Sequence, residues 1–225
     1  MYSSLNIYDQ QLAIKPNTVA SPNAAFQRMA VFWPLIEDLK EGSYKIKSKH
    51  RKYLFPEPRE STESYDARLN RSTVVPFMQR IEKMLAGMLM RKPVRLDDTS
   101  DLVREQLFDV DLEGNDLNIW LYQTARTVIS FGHVGVLVDA PKEGSKARPY
   151  WVTYKPSDIL GWRTEIIDGV RELVQVRLLE NVVEPDGLYG EKNITQIRVL
   201  ERGRFQLHRK SEKTGKFELY FFLRI

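Results

Sequence analysis

Cysteine is absent from all 225 residues of the chain. These residues therefore form no disulfide bond and supply no thiol nucleophile or thiolate metal ligand, and such a composition fits a reducing compartment. Long apolar runs are missing too, because nothing approaches the roughly 18 residues of a membrane-spanning helix. We expect no membrane partner. The sequence MYSSLNIYDQ lacks the basic start and apolar core of a secretory signal.

Histidine is scarce. His50, His133 and His208 lie far apart and lack the His-x3-His spacing of a zinc site. The glycine-rich loops and the serine elbow that mark nucleotide-binding and hydrolase sites are missing as well. We therefore expect no catalytic residue, no cofactor and no metal ion. An enzyme stays an alternative if His133 acts as a general acid beside a carboxylate such as Asp139.

An acidic stretch, DVDLEG at residues 109–114, resembles the opening of a calcium-binding loop. That loop requires a bidentate glutamate at its twelfth position, and Trp120 stands there instead. We therefore expect no calcium. Gly114 permits a tight turn, and Asn115 or Asp116 is suited to cap the helix that follows.

The overall charge is mild, with 34 Lys and Arg against 30 Asp and Glu. Residues 40–59 are locally basic and contain interleaved aromatic side chains, a combination that binds nucleic acid by phosphate neutralisation and base stacking. The alternative is a solvated surface loop. The candidate DNA contacts are Lys45, Lys47, Lys49, Arg51 and Lys52, and a dedicated nucleic-acid-binding module would also use Arg59.

Several helices are predicted before residue 132. Ser21 and Pro22 are typical of a helix start, Pro34 kinks or restarts that helix, and Gly42 ends it. Gly132 stands where the last of these helices requires a C-terminal cap.

A helix that starts at Pro76 carries an apolar stripe at helical spacing, which predicts that the stripe faces the core. The small residues Ala86 and Gly87 would let another backbone come close. The stripe consists of Phe77, Ile81, Leu85, Met88 and Leu89, and Met84, Met88 and Met90 are expected to be soft core packing.

After residue 133 the pattern changes to short β-branched or aromatic runs, separated by turn sequences such as PDGLYGEK and SEKTGK. Residues 173–179 alternate in the way of a strand with one face more buried. We expect an antiparallel β-meander, and helices followed by strands predict the α+β class. We divide the chain into an N-terminal arm with the basic segment, residues 1–60, and an α+β domain, residues 61–225.

Several segments together carry a resemblance to a known family. A helix ends in GMLMRKP at residues 87–93, and the acidic turn at 111–114 opens a second helix. A glycine then leads into a strand ending in Val-Asp over residues 132–139, and RPYWVTYKPSDILGWR at 148–163 precedes another strand. Over roughly residues 53–183, this order is similar to phage proteins grouped with the portal proteins of tailed bacteriophages.

The resemblance implies a structural portal subunit, with these helices and strands forming its outer wing. Portal subunits form a ring, usually of twelve copies, at one vertex of the phage head. A terminase pumps double-stranded DNA through the channel, and the major capsid protein and the neck or tail adaptors contact the ring. Those proteins, the DNA and further copies of the chain are the expected partners. The expected location is the virion, with the host cytoplasm during assembly.

A ring requires two different surfaces on each subunit that meet head to tail. Trp151 and Trp162 are candidates for this contact, and burial in the core is the alternative for both. Portal subunits are longer than this chain, which stops at ELYFFLRI, so we expect an N-terminal portion of such a protein. A sequence-independent nucleic-acid-binding or adaptor module is the alternative function.

Overall fold

The fold belongs to the α+β class, as predicted, with helices first and an antiparallel meander after them. The structure is a computed structural model that describes residues 18–139 and 148–224. Residues 1–17 of the predicted N-terminal arm and the turn-like sequence PKEGSKA at 141–147 lie outside the described residues. None of the described helices is long and apolar enough to cross a bilayer.

The described residues form the following helices and strands. The helices are α1 (Ala24–Met29), α2 (Trp33–Glu41), α3 (Ser43–Ser48), α4 (Thr62–Arg71), α5 (Phe77–Leu89), α6 (Asp101–Gln106) and α7 (Leu117–Phe131). The strands are β1 (Gly135–Asp139), β2 (Tyr150–Tyr154), β3 (Ile159–Ile167), β4 (Val170–Asp186), β5 (Gly190–Glu201), β6 (Arg204–Lys210) and β7 (Phe217–Arg224).

The described residues form two compact units. One combines residues 18–31 with residues 154–224, and the other comprises residues 32–139 and 148–153. The predicted division into an arm with the basic segment, residues 1–60, and an α+β domain, residues 61–225, stays a prediction.

The helix ends follow from local chemistry. Asn23, rather than the predicted Ser21, caps α1, because its side-chain oxygen accepts a hydrogen bond from the backbone N–H of Phe26 at 2.8 Å. Pro34 lies in the first turn of α2, where the absent N–H costs nothing. Gly42 ends α2 with a φ of 71°, so the predicted boundaries of this helix are confirmed.

The core of the helical unit, residues 32–153, lies where α5 packs against α7 and α2. Its buried residues include Trp33, Trp120 and Phe131. The prediction that the apolar stripe of α5 faces this core is wrong. Its five residues, together with Met84, are between 38% and 68% exposed, and α5 instead buries Glu82 and Ala86. Alanine permits close approach of a neighbouring helix, and Glu82 finds cationic partners inside.

The other unit contains a five-stranded sheet in the order β3-β4-β5-β6-β7. Every neighbouring pair is antiparallel, which confirms the predicted meander. Strand β3 was not predicted, because Gly161 and the irregularity between Arg163 and Thr164 interrupt its pattern. A Cβ atom at Gly161 would lie 3.1 Å from the Cβ of Asn23, so glycine lets the start of α1 pack closely on the sheet.

Strand β7 lies at one edge of this sheet and pairs with β6. All five of its residues from Leu219 to Leu223 are large and apolar, and all five are exposed. An edge strand presents unpaired backbone groups on its outer side. Among the strands that the structure describes, β7 therefore combines exposed apolar side chains with an edge that no other strand covers.

Candidate oligomer interface

Helix α5 has two opposite faces. Its outer face consists of Phe77, Ile81, Met84 and Met88, which are separated by four, three and four residues. This is the spacing of a heptad seam, in which each apolar side chain inserts between residues of a second helix. All four side chains are exposed. The α5 outer face, defined by these four residues, therefore has the pattern of a helix-packing surface, and no helix within residues 18–139 and 148–224 covers it.

The inner face of α5 is fixed by a buried carboxylate. Glu82 Oε1 accepts a hydrogen bond from Arg126 Nε at 2.6 Å. Glu82 Oε2 accepts from Ser130 Oγ at 2.5 Å and lies 2.6 Å from Lys40 Nζ. Lys40 belongs to α2, whereas Arg126 and Ser130 belong to α7. One side chain thus links three helices and sets the rotation of α5 about its axis.

The Glu82 carboxylate remains ionised although it is buried. Burial by itself would raise its pKa. Hydrogen bonds from Lys40, Ser130 and Arg126, with the positive charge of Lys40, outweigh burial and place the pKa below the ordinary value of a glutamate. A charged group that is satisfied on several sides holds its helix in one orientation, since rotation of α5 would leave the charge buried and unpaired.

Basic residues border the α5 outer face. Arg80 lies beside it, about 40° around the helix from Met84, and Lys83 lies about 60° further round on the same flank, since residues along a helix are spaced by about 100°. Arg91 and Lys92 follow the C-terminal end of α5. All four are exposed.

A second exposed apolar surface has the opposite charge. The acidic segment, residues 97–109, contains α6 and exposes the side chains of Leu102, Val103 and Phe108. Ser100 caps α6, because its Oγ accepts from the Val103 N–H at 3.4 Å. Its acidic residues are Asp97, Asp98, Asp101, Glu105 and Asp109, and Arg104 is its one cation.

The basic stretch that was predicted to contact DNA folds into α3 and a 3₁₀ turn at His50–Lys52 rather than into a loop, and the alternative that its charges are only solvated surface stays open. Buried Asp38 holds it in place. Lys49 Nζ lies 2.5 and 2.6 Å from the two Asp38 oxygens, the Tyr53 hydroxyl donates to Asp38, and Lys52 Nζ lies 3.7 Å away.

These contacts shift two pKa values. Burial would raise the pKa of Asp38, but the hydrogen bonds from Lys49 and Tyr53 and the charges of Lys49 and Lys52 bring it below its ordinary value. Burial and the negative charge of Asp38 raise the pKa of Tyr53. Lys49 and Lys52 therefore balance an internal charge.

The other three residues predicted to contact DNA have different partners. Lys47 Nζ donates to the backbone oxygen of Asn70 at 2.8 Å, and Lys45 Nζ lies 3.4 Å from Glu41. The Arg51 guanidinium lies over the ring of Tyr65, 5.6 Å from its centroid. The predicted role of all five cations in DNA binding stays a prediction.

The two tryptophans predicted at an interface differ in environment. Trp151 is half-buried and makes an edge-to-face contact with Trp120, with ring centroids 4.9 Å apart. Trp162 on β3 is 44% exposed. An exposed ring of this size retains apolar area for a contact with another molecule, whereas Trp151 uses part of its area inside its own unit. Their roles at an interface stay predictions.

Within the described residues, the fold assembles no group of side chains that supports the metal-site alternative. Across residues 18–139 and 148–224, no three His, Asp or Glu side chains form a group suited to a metal ion. His133 is exposed after the C-terminus of α7. His208 lies in the sheet, where burial lowers its pKa.

The acidic turn satisfies its own backbone. Asp109 accepts from the Gly114 N–H at 2.9 Å, and Asp111 accepts from the Glu113 N–H at 3.0 Å and the Asn115 side chain at 2.7 Å. Burial would raise the pKa of Asp111, but these hydrogen bonds hold it below its ordinary value. Gly114 has a φ of 86°, and Asp116 caps α7, so both structural predictions for this turn are confirmed.

Comparison with protein families and with curated proteins finds no match to this chain. The resemblance to portal proteins therefore stays a prediction. Among the exposed surfaces described above, the α5 outer face is the one whose exposure sequence reasoning missed. The position of Glu82 was the available signal. A charged residue opposite an apolar stripe indicates that its own side of the helix faces inward, but only if cations on other helices reach that residue.

Proposed function

We propose that this chain is a structural subunit of a homo-oligomeric ring of the phage portal kind. The observation that carries the proposal is the α5 outer face, an exposed apolar seam on a helix whose opposite face is anchored by Glu82. Exposed apolar patches of this kind mark protein–protein contacts in soluble proteins. The order of helices and antiparallel strands also agrees with the wing region that the resemblance implies.

In this proposal the chain has a scaffolding role in head assembly, DNA packaging and ejection, and head–tail connection, with no catalytic step of its own. Its partners are further copies of itself, double-stranded DNA, the terminase, the major capsid protein and the neck or tail adaptors. It acts in the virion after assembly in the host cytoplasm. Contact with DNA would be independent of sequence and sensitive to salt, because a channel passes every sequence.

The experiment is electron microscopy of the purified chain, with sedimentation at several protein concentrations. We expect closed annular particles with one dominant subunit number. A chain that sediments as a monomer throughout would contradict the proposal. Salt-sensitive DNA binding by such a monomer, reduced by substitution of Lys45, Lys47 and Arg51, would favour the nucleic-acid-binding alternative instead.

A further inference from the structure

Two exposed apolar surfaces of opposite charge lie on the helical unit. The α5 outer face has Arg80 beside it, Lys83 further round the same flank of the helix, and Arg91 and Lys92 just after its C-terminal end. The acidic segment exposes Leu102, Val103 and Phe108 among five acidic residues and one arginine. Each surface combines apolar side chains with charges of one dominant sign. Burial of the apolar side chains stabilises a contact, and the charges select the partner.

The charges decide which surfaces fit each other. Contact between two α5 outer faces would bring the basic borders of both copies together, and contact between two acidic segments would bring carboxylates together. Like charges across an interface oppose association. Contact between the α5 outer face of one copy and the acidic segment of another joins opposite charges and covers apolar area on both sides.

Each of the two surfaces presents apolar side chains from a helix, although the helices differ in length. Helix α5 has 13 residues, and at about 1.5 Å per residue the helix is about 20 Å long. Its heptad spacing fits a packed helix with apolar residues on one side, and Leu102 and Val103 lie on the short helix α6. Phe108 extends this apolar surface beyond the end of α6.

We propose that the α5 outer face of one copy binds the acidic segment of the next copy. This inference rests on the proposed ring function and names the two surfaces that the ring would use. Because the two surfaces differ, the contact is head to tail, and repetition of it closes a ring or continues as a chain. Salt weakens the contact, since its charged border is exposed to solvent.

The absence of native cysteine makes a cross-linking test direct. Met84→Cys places one thiol on the α5 outer face, and Leu102→Cys places one on the acidic segment. The two full-length variants, with tags of different size, are mixed and treated with a short bis-maleimide. We expect a mixed cross-linked dimer, formed at least about tenfold more than like-with-like dimers of either variant, given the opposing charges. Glu63→Cys, on the exposed surface of α4, is the matched control and should give only background with Met84→Cys.

Charge reversal tests the orientation independently. One variant carries Arg80→Glu and Lys83→Glu, and the other carries Asp101→Lys and Glu105→Lys. Each variant alone should associate at least about tenfold more weakly than the parent, because like charges then face each other. A mixture of the two should recover association, since the reversed α5 border of one variant meets the reversed acidic segment of the other. Circular dichroism of each variant checks that it remains folded.

The outcomes separate this inference from the proposed function. Rings that form without the mixed cross-link, or that survive both charge reversals unchanged, overturn the assigned surfaces and leave the ring. A mixed cross-link that recovers with the mixed charge variants, but without closed particles, supports the surfaces and contradicts the ring. Dominant dimers of Met84→Cys with itself would show a symmetric α5 contact and overturn the head-to-tail assignment. Loss of both rings and cross-links contradicts both.

Discussion

Asp38 is the residue on which the order of the basic stretch depends. It is buried, yet it accepts from Lys49 and Tyr53 and lies beside Lys52. Hydrogen bonds to charged groups contribute about 1.5–3 kcal/mol each when the alternative is an unsatisfied partner. The stability of the residues proposed to contact DNA is thus coupled to one carboxylate on α2.

We expect Asp38→Asn to lower the free energy of unfolding by about 2 kcal/mol, because the amide cannot balance the charge of Lys49. Urea denaturation followed by circular dichroism measures the change. Glu41→Gln is the matched control on the same helix; its exposed pair with Lys45 contributes at most about 0.5 kcal/mol. Equal losses for both variants would mean that Asp38 has no special role.

Sequence reasoning succeeds at this scale where the chemistry is local. Gly42 and Asp116 were predicted at helix ends because a capping residue acts on its own neighbours in the chain. Asp38 and Glu82 were missed for the opposite reason. Their partners lie up to 48 residues away, as for Ser130 with Glu82, and a single sequence does not show which distant cation reaches a buried acid.

At the scale of elements, α5 shows why periodicity can indicate a helix and still misplace its face. The prediction that the stripe lies on one side of a helix was correct, but the buried side of that helix is the one that carries Ala86 and Glu82. Small size at Ala86 permits close packing, and Glu82 meets Lys40, Arg126 and Ser130 on this side. Strand β3 was missed because a glycine and a bulge disrupt its alternation.

Gly87 tests the packing of α5 separately from its interface. It lies in the helix interior, and no described atom lies within 4 Å of the position that a Cβ would take. Gly87→Ala should therefore raise the free energy of unfolding by about 1 kcal/mol, the usual difference in helix propensity.

Ala86→Leu, one residue away, is the contrasting variant. Ala86 is wholly buried, so we expect overpacking to lower stability by about 1–3 kcal/mol. Thermal denaturation of both variants under one condition gives the comparison. A destabilised Gly87→Ala would show that another part of the protein approaches this position.

At the scale of the whole molecule, the α+β class followed from the sequence, but the division into two units did not. Residues 18–30 join a sheet that begins more than a hundred residues later, as in the hydrogen bond from the Asn23 N–H to the Leu160 oxygen. The periodicity of a short segment does not show that this segment joins a sheet formed by residues far along the chain. The proposed ring rests on the surfaces and on the resemblance.

The two units should lose stability in acid at different pH. Burial lowers the pKa of His208 in the sheet unit, so the unfolded chain binds the proton more readily below about pH 6.5 and this unit weakens first. Glu82 and Asp38 in the helical unit have lowered pKa values, so their stabilisation is complete above about pH 4.5 and is lost as the pH falls further.

Tryptophan fluorescence separates the two transitions. Trp162 belongs to the sheet unit, whereas Trp33, Trp120 and Trp151 belong to the helical unit. We expect the Trp162 signal to change at higher pH in mild urea than the signal of a Trp162→Phe variant. His208→Gln should move the first change toward acid. Coincident transitions in both proteins would contradict independent acid responses.

Strand β7 has a practical consequence for anyone who handles the purified chain. An exposed hydrophobic edge with neither lysine nor proline from Leu219 to Leu223 is the kind of template on which amyloid-like stacking begins. Turbidity and thioflavin-positive deposits during concentration would then come from this strand and not from assembly through the helices. A gatekeeper lysine at Phe221 is the remedy that the edge itself suggests.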